Sequence, residues 1–176
     1  MKGGDLNPQD LKHFIQESYN QDDNRNANVG DFVYNKELSN NKAAVYFNKK
    51  TGQATITHRG TAPHISDWKN NLSYALGLYD YTNRNKKGKK TQAAVEKKYG
   101  SKNVSTIGHS QSGIITRKHG KNSKEIINVN TAYKPSLHYE KPHANEYNIN
   151  SSADVVSMPK FKDDLITRLF HKKQSK

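Results

Sequence analysis

Residues 105–120 read STIGHSQSGIITRKHG, and the division of this stretch into elements decides the fold. Its approach, 104–107, is apolar and reads as a strand. The run 113–119 reads as a helix, so Ser110 falls on the sharp bend between the two. A serine so placed is a nucleophile elbow under three conditions. The bend exposes the hydroxyl, small residues flank it, and the next backbone N–H can stabilise an oxyanion. Gly108 stands two residues before Ser110, Ser112 two after and Gly113 three after. The strict G-x-S-x-G pattern has glycine where this chain has Ser112. From the turn alone, an attacking serine and a serine that merely fits a tight corner stand as equal alternatives.

Outward from this bend the chain alternates helix and strand. Downstream, 125–129 is a short apolar strand and 147–150 a last one, with a polar, aromatic and irregular stretch over 133–146. Phe161, Leu165, Ile166, Leu169 and Phe170 predict a final helix over 161–171. Upstream, 91–99 is a helix ended by Gly100. Before it runs a basic surface loop over 80–90, containing NRNKKGKK. Ile65, Trp68, Leu72, Ala75, Leu76 and Tyr79 mark an amphipathic helix over 65–79. The runs 43–47 and 54–58 flank the turn NKKTG and read as a hairpin. Leu11, Phe14, Ile15 and Tyr19 place a helix over 8–19, capped by Asn7. Such alternation predicts an α/β architecture, a sheet with helices packed on its faces. At 176 residues the chain is read as one domain, with a loose start over about 1–7 and a basic tail over about 171–176.

Only 32% of the residues are hydrophobic, but they come in short organised runs. A folded core with polar loops is therefore expected, rather than wholesale disorder. Lysine and arginine number 29 against 16 acidic residues, a formal charge of +13. That favours anionic partners: nucleic acid, a phospholipid surface or an acidic protein assembly. Few aromatics interleave with the lysines, so specific nucleic-acid recognition is not expected. Arg84, Lys86, Lys87, Lys89 and Lys90 form the densest basic cluster and are the candidate contact with an anionic surface. Arg168, Lys172, Lys173 and Lys176 form a second. There is no cysteine, which excludes disulfides and thiolate metal sites. The eight histidines show no H-x-x-x-H spacing, so neither metal nor cofactor is expected. The polar start MKGGDLNPQD has no apolar signal core, and no stretch reaches membrane-spanning length. The expectation is a cytoplasmic protein or one within a particle.

A second stretch, ATITHRGTAPHISDWKNNL over 54–72, bears on the serine. Arg59-Gly60-Thr61, Asp67-Trp68 and Asn71-Leu72, followed by Gly108-His109-Ser110-Gln111-Ser112-Gly113, resemble in kind and order the motifs of the class 3 (fungal-lipase-like) lipase family of α/β-hydrolases. The resemblance covers roughly 43–160. It implies a compact α/β-hydrolase-like sheet with Ser110 as nucleophile. Thr61, through backbone and hydroxyl, and the N–H of Gln111 would be the oxyanion-hole donors. It also implies an acid at Asp154, in NINSSADVVSMPK, where Val156-Ser157 replaces the Val-Pro common in the family. The base must follow the acid in this chain order, and His171 is the histidine that does so, 17 residues on. At about 100° per residue, an unbroken last helix would point His171 away from its apolar face. His138 and His143 precede the acid, and His58 and His64 could line the site. His109 reads as a packed residue beside the elbow.

Two function classes follow. One is a serine ester hydrolase acting through an acyl-enzyme on lipid or another carboxylic ester. The other is a non-catalytic basic structural protein with a degenerate lipase fold, such as a virion or particle component. Nonspecific nucleic-acid binding is a weaker third.

Overall fold

In the computed structural model, which describes residues 6–60, 82–131 and 141–149, the first helix starts where the sequence places its cap. The Asn7 side chain accepts the Asp10 N–H at 2.8 Å, and α1 runs Pro8–Tyr19. Leu11, Phe14 and Ile15 lie on its buried face. Two short strands follow, β1 Asn28–Val29 and β2 Phe32–Tyr34. The expected hairpin forms as β3 Ala43–Asn48 and β4 Gln53–His58, with Gly52 of its turn at φ +73°. Then come α2 Asn83–Tyr99, β5 Val104–His109, a 3-10 turn Ser110–Ser112, α3 Gly113–His119, β6 Glu125–Val129 and β7 Glu146–Ile149.

The seven strands lie side by side in chain order, antiparallel from β1 to β4 and parallel from β4 to β7. The protein is thus α/β, with a mixed sheet. Two crossovers stepping in the same direction across a sheet place their helices on the same face, and α2 and α3 do pack together. The other face belongs to α1. There Phe14 meets Phe32 and Tyr46 edge-on, at centroid distances of 5.3 and 5.4 Å, above Ile107, Ile127 and Val129. Beneath α2, Val45, Ile56, Val95 and Val104 form a second, smaller apolar cluster.

Several sequence expectations need correction. Strands β1 and β2 were not foreseen. The stretch 83–90 is not a loop but the first half of α2. Thr82 caps it by accepting the Asn85 N–H at 3.2 Å. Its buried stripe consists of Arg84, Asn85, Gly88, Thr91, Gln92 and Val95, which has helical spacing but is mostly polar. A search for apolar periodicity therefore passes over it. Gly88 marks no turn. A Cβ there would lie 2.7 Å from Ile115 Cγ2, so the glycine is where α2 and α3 touch. The helices expected over 65–79 and 161–171 lie outside the described residues. None of the described helices is long and apolar enough to cross a membrane.

One buried polar group links this packing to pH. His58 is 1% exposed, and its Nε2–H donates to Gln92 Oε1 at 3.1 Å. The Gln92 amide nitrogen donates in turn to Glu96 Oε1 at 2.8 Å and Thr106 Oγ1 at 2.9 Å. Burial lowers the His58 pKa to about 4, against about 6.5 in the unfolded chain. Below pH 6.5 the unfolded state takes up a proton that the folded state refuses, so protonation favours unfolding. The His58 contribution is intact above about pH 6.5 and is lost towards pH 4, at about 1.4 kcal/mol per pH unit. Denaturant unfolding of wild type and His58→Gln between pH 4 and 7 should show a shallower decline in the variant. Parallel curves would refute this.

Candidate active site

Strands β4 and β5 are parallel neighbours, with His58 opposite Gly108. The residues that leave them, Arg59-Gly60 and His109-Ser110, therefore emerge together at the carboxyl end of the sheet, where open α/β sheets place their ligands. Gly60 packs directly on the bend. A Cβ built there would stand 2.6 Å from Ser110 Cβ and 2.7 Å from the His109 carbonyl oxygen. Only glycine allows the two chain ends to come this close.

Ser110 has φ 57°, in the left-handed region. For a non-glycine residue this costs about 1–2 kcal/mol, so neighbouring contacts must hold it. Ser112 supplies them. Its fully buried hydroxyl accepts the His109 N–H at 2.8 Å and donates to the His58 carbonyl at 2.6 Å. The Gly113 N–H closes the turn on the Ser110 carbonyl. The departure from G-x-S-x-G is thus no loose fit: the extra side chain ties the elbow of β5 to the end of β4. Ser112→Gly, which restores the strict motif, should lower unfolding free energy by about 1–3 kcal/mol, because it strands the buried His109 N–H. A variant as stable as wild type would remove this role.

Close helix approach completes the corner. At Gly108 an added Cβ would meet Thr116 Cγ2 at 2.8 Å, and at Gly113 it would meet Thr131 Cγ2 at 1.9 Å. Both glycines let α3 fold back onto β5 and β6. Ser110 is left partly exposed. Gln111 is also partly exposed, and its N–H belongs to the first helical turn, the end with partial positive charge.

Among the sequence candidates, the structure brings together Ser110, Gln111 and the Arg59-Gly60 turn. Thr61, Asp154 and His171 lie outside the described residues, as do His64 and His138. His143 Nε2 donates to the Arg117 carbonyl at 2.9 Å. His58 does not line the site, being enclosed under α2. His109 is packed beside the elbow as expected, 5% exposed, with Nδ1 2.7 Å from Tyr19 Oη. Arg84 requires correction. It is 5% exposed and donates to the Arg59 carbonyl, so it belongs to the interior and not to an anion-facing surface. Lys86, Lys87, Lys89 and Lys90 are exposed on α2.

Sequence reasoning missed Tyr19 as a site residue. Its Oη accepts the Gly60 N–H at 3.0 Å, and its ring meets the His109 ring edge-on at 5.6 Å. Its place at the end of the apolar stripe of α1 gave it the look of a core residue. No family model matches the chain, nor does any curated protein or solved structure.

Proposed function

We propose that the protein is a serine ester hydrolase with an α/β-hydrolase-like fold, acting on lipid or another carboxylic ester. One observation carries this reading: Ser110 is held at φ 57° on a strand-to-helix bend, with the turn after β4 packed against it. A corner that only had to turn would relax with glycine at that position. Strain of this kind collects where a side chain must be presented.

In this reading, Ser110 Oγ attacks the ester carbonyl carbon and its proton passes to an imidazole. The tetrahedral oxyanion is held by the Gln111 N–H and by Thr61. The alcohol leaves with that proton, and water then attacks the acyl-enzyme to release the acid and free Ser110. His171 is assigned as the base and Asp154 as its orienting acid, following the chain order of the resemblance. The exposed Lys86, Lys87, Lys89 and Lys90 suit an ester presented at an anionic membrane surface. The decisive experiment is labelling with a fluorophosphonate probe followed by peptide mapping. The adduct is expected on Ser110 in wild type and to be lost in His171→Ala. Absence of labelling in folded wild type, together with stable incorporation into an assembly, would instead favour a structural protein.

A further inference from the structure

The peptide between Arg59 and Gly60 is gripped at both of its polar atoms. Its N–H donates to Tyr19 Oη of α1 at 3.0 Å, and its carbonyl accepts from Arg84 Nη2 of α2. The N–H and C=O of a trans peptide point in opposite directions. Since α1 and α2 cover opposite faces of the sheet, the two helices hold one peptide from both sides. Tyr19 also reaches the other half of the corner. Its Oη, which accepts the Gly60 N–H, also lies 2.7 Å from His109 Nδ1 and shares a hydrogen bond with that ring. One phenol oxygen thus joins the end of β4 to the residue before Ser110.

Arg84 is the costly half of this grip. The other buried arginines of the described residues are compensated. The Arg25 guanidinium pairs with Asp22 at 2.6 Å and also donates to the carbonyls of Glu17 and Asn40. Arg117 faces the buried carboxylate of Glu146 at 3.5 Å. Arg84 has no carboxylate partner among the described residues, and its Nε and Nη1 are buried without a hydrogen bond. A buried cation without a carboxylate partner among the described residues opposes folding. Among the described residues, its hydrogen bond goes to the peptide that abuts Ser110.

We propose that Tyr19 and Arg84 are positioning residues, which together fix the Gly60 turn against Ser110, and that the Arg84 charge biases this corner towards negative charge developing there. The inference rests on the ester-hydrolase reading for its catalytic consequence, but not for the grip itself. Its test uses Tyr19→Phe, Arg84→Met and Arg84→Lys in the full chain. Two things are measured: kcat and KM for p-nitrophenyl butyrate, and hydrogen exchange of the Gly60 amide. Tyr19→Phe and Arg84→Met should lose about 10- to 100-fold in kcat with KM changed less than about threefold. Arg84→Lys should recover kcat to within about fivefold of wild type, because it keeps the charge. Gly60 should exchange at least about tenfold faster in Tyr19→Phe, which loses one oxygen and is expected to fold. Wild-type kcat in both Tyr19→Phe and Arg84→Met would overturn the proposal, as would unchanged Gly60 exchange in Tyr19→Phe. Equal losses in Arg84→Lys and Arg84→Met would overturn the role of charge. If wild type neither hydrolyses the ester nor takes the fluorophosphonate label, the ester-hydrolase reading falls. Gly60 exchange then decides the grip alone, faster exchange in Tyr19→Phe supporting it and unchanged exchange overturning it.

Discussion

Replacing Ser110 with alanine is expected to abolish ester hydrolysis, and replacing it with glycine to abolish hydrolysis while making the protein more stable. The first part follows from removing the only atom that can form the acyl bond in the proposed reaction. Loss of a nucleophile of this kind lowers kcat by about 10⁴-fold or more. The second part follows from the backbone. Serine at φ 57° carries a left-handed penalty of about 1–2 kcal/mol. Glycine removes it, but gives the unfolded chain back about 0.5–1 kcal/mol of conformational entropy. The net gain for Ser110→Gly should be about 0.5–1 kcal/mol by denaturant unfolding, with Ser110→Ala close to wild type. Opposite movements of activity and stability at one residue would mark a strained functional position. Full activity in Ser110→Ala would remove the nucleophile from the scheme, and a Ser110→Gly variant less stable than wild type would mean the bend is not strained.

The elements that the sequence revealed share one property: their own residues punctuate them. Val104–His109 and Glu125–Val129 are short strands carrying Val and Ile between polar turns. The hairpin carries Gly52 in its turn, and α1 has both a cap and an apolar stripe. What stayed hidden depends on partners distant in the chain. The α2 stripe is built of Arg84, Asn85, Thr91 and Gln92, buried because Arg59, His119, Asn40 and His58 meet them there. No local pattern announces such a stripe, and Gly88 within a lysine-rich run imitates a loop. Ser112 shows the same limit at the site. Compared with a motif it is a defect. Placed between His58 and His109 it is the bond that shapes the bend.

Gly60→Ala tests whether the two chain ends really meet, and two kinds of glycine in this molecule separate the possible causes. Gly52 has φ +73° and nothing within 4 Å of an added Cβ. Its replacement by alanine should cost only backbone strain, about 1 kcal/mol, and leave hydrolysis untouched. At Gly60 the obstacle is matter. The new methyl would fall 2.6 Å from Ser110 Cβ, 2.6 Å from Tyr19 Oη and 2.7 Å from the His109 carbonyl. None of these is the loose end of a flexible side chain. Tyr19 is bonded on both sides, and the other two belong to the elbow. The chain ends must then part, at a cost of about 2–3 kcal/mol for overpacking. A displacement of about 1 Å at a reacting corner lowers rate by about 100-fold. Hydrolysis of p-nitrophenyl butyrate by Gly60→Ala should fall by at least that factor, at temperatures where circular dichroism shows the variant folded. The Gly52→Ala protein should remain fully active. A Gly60→Ala enzyme with wild-type kcat would place the Gly60 turn away from Ser110. The proposed oxyanion pocket would then need a donor from elsewhere in the chain.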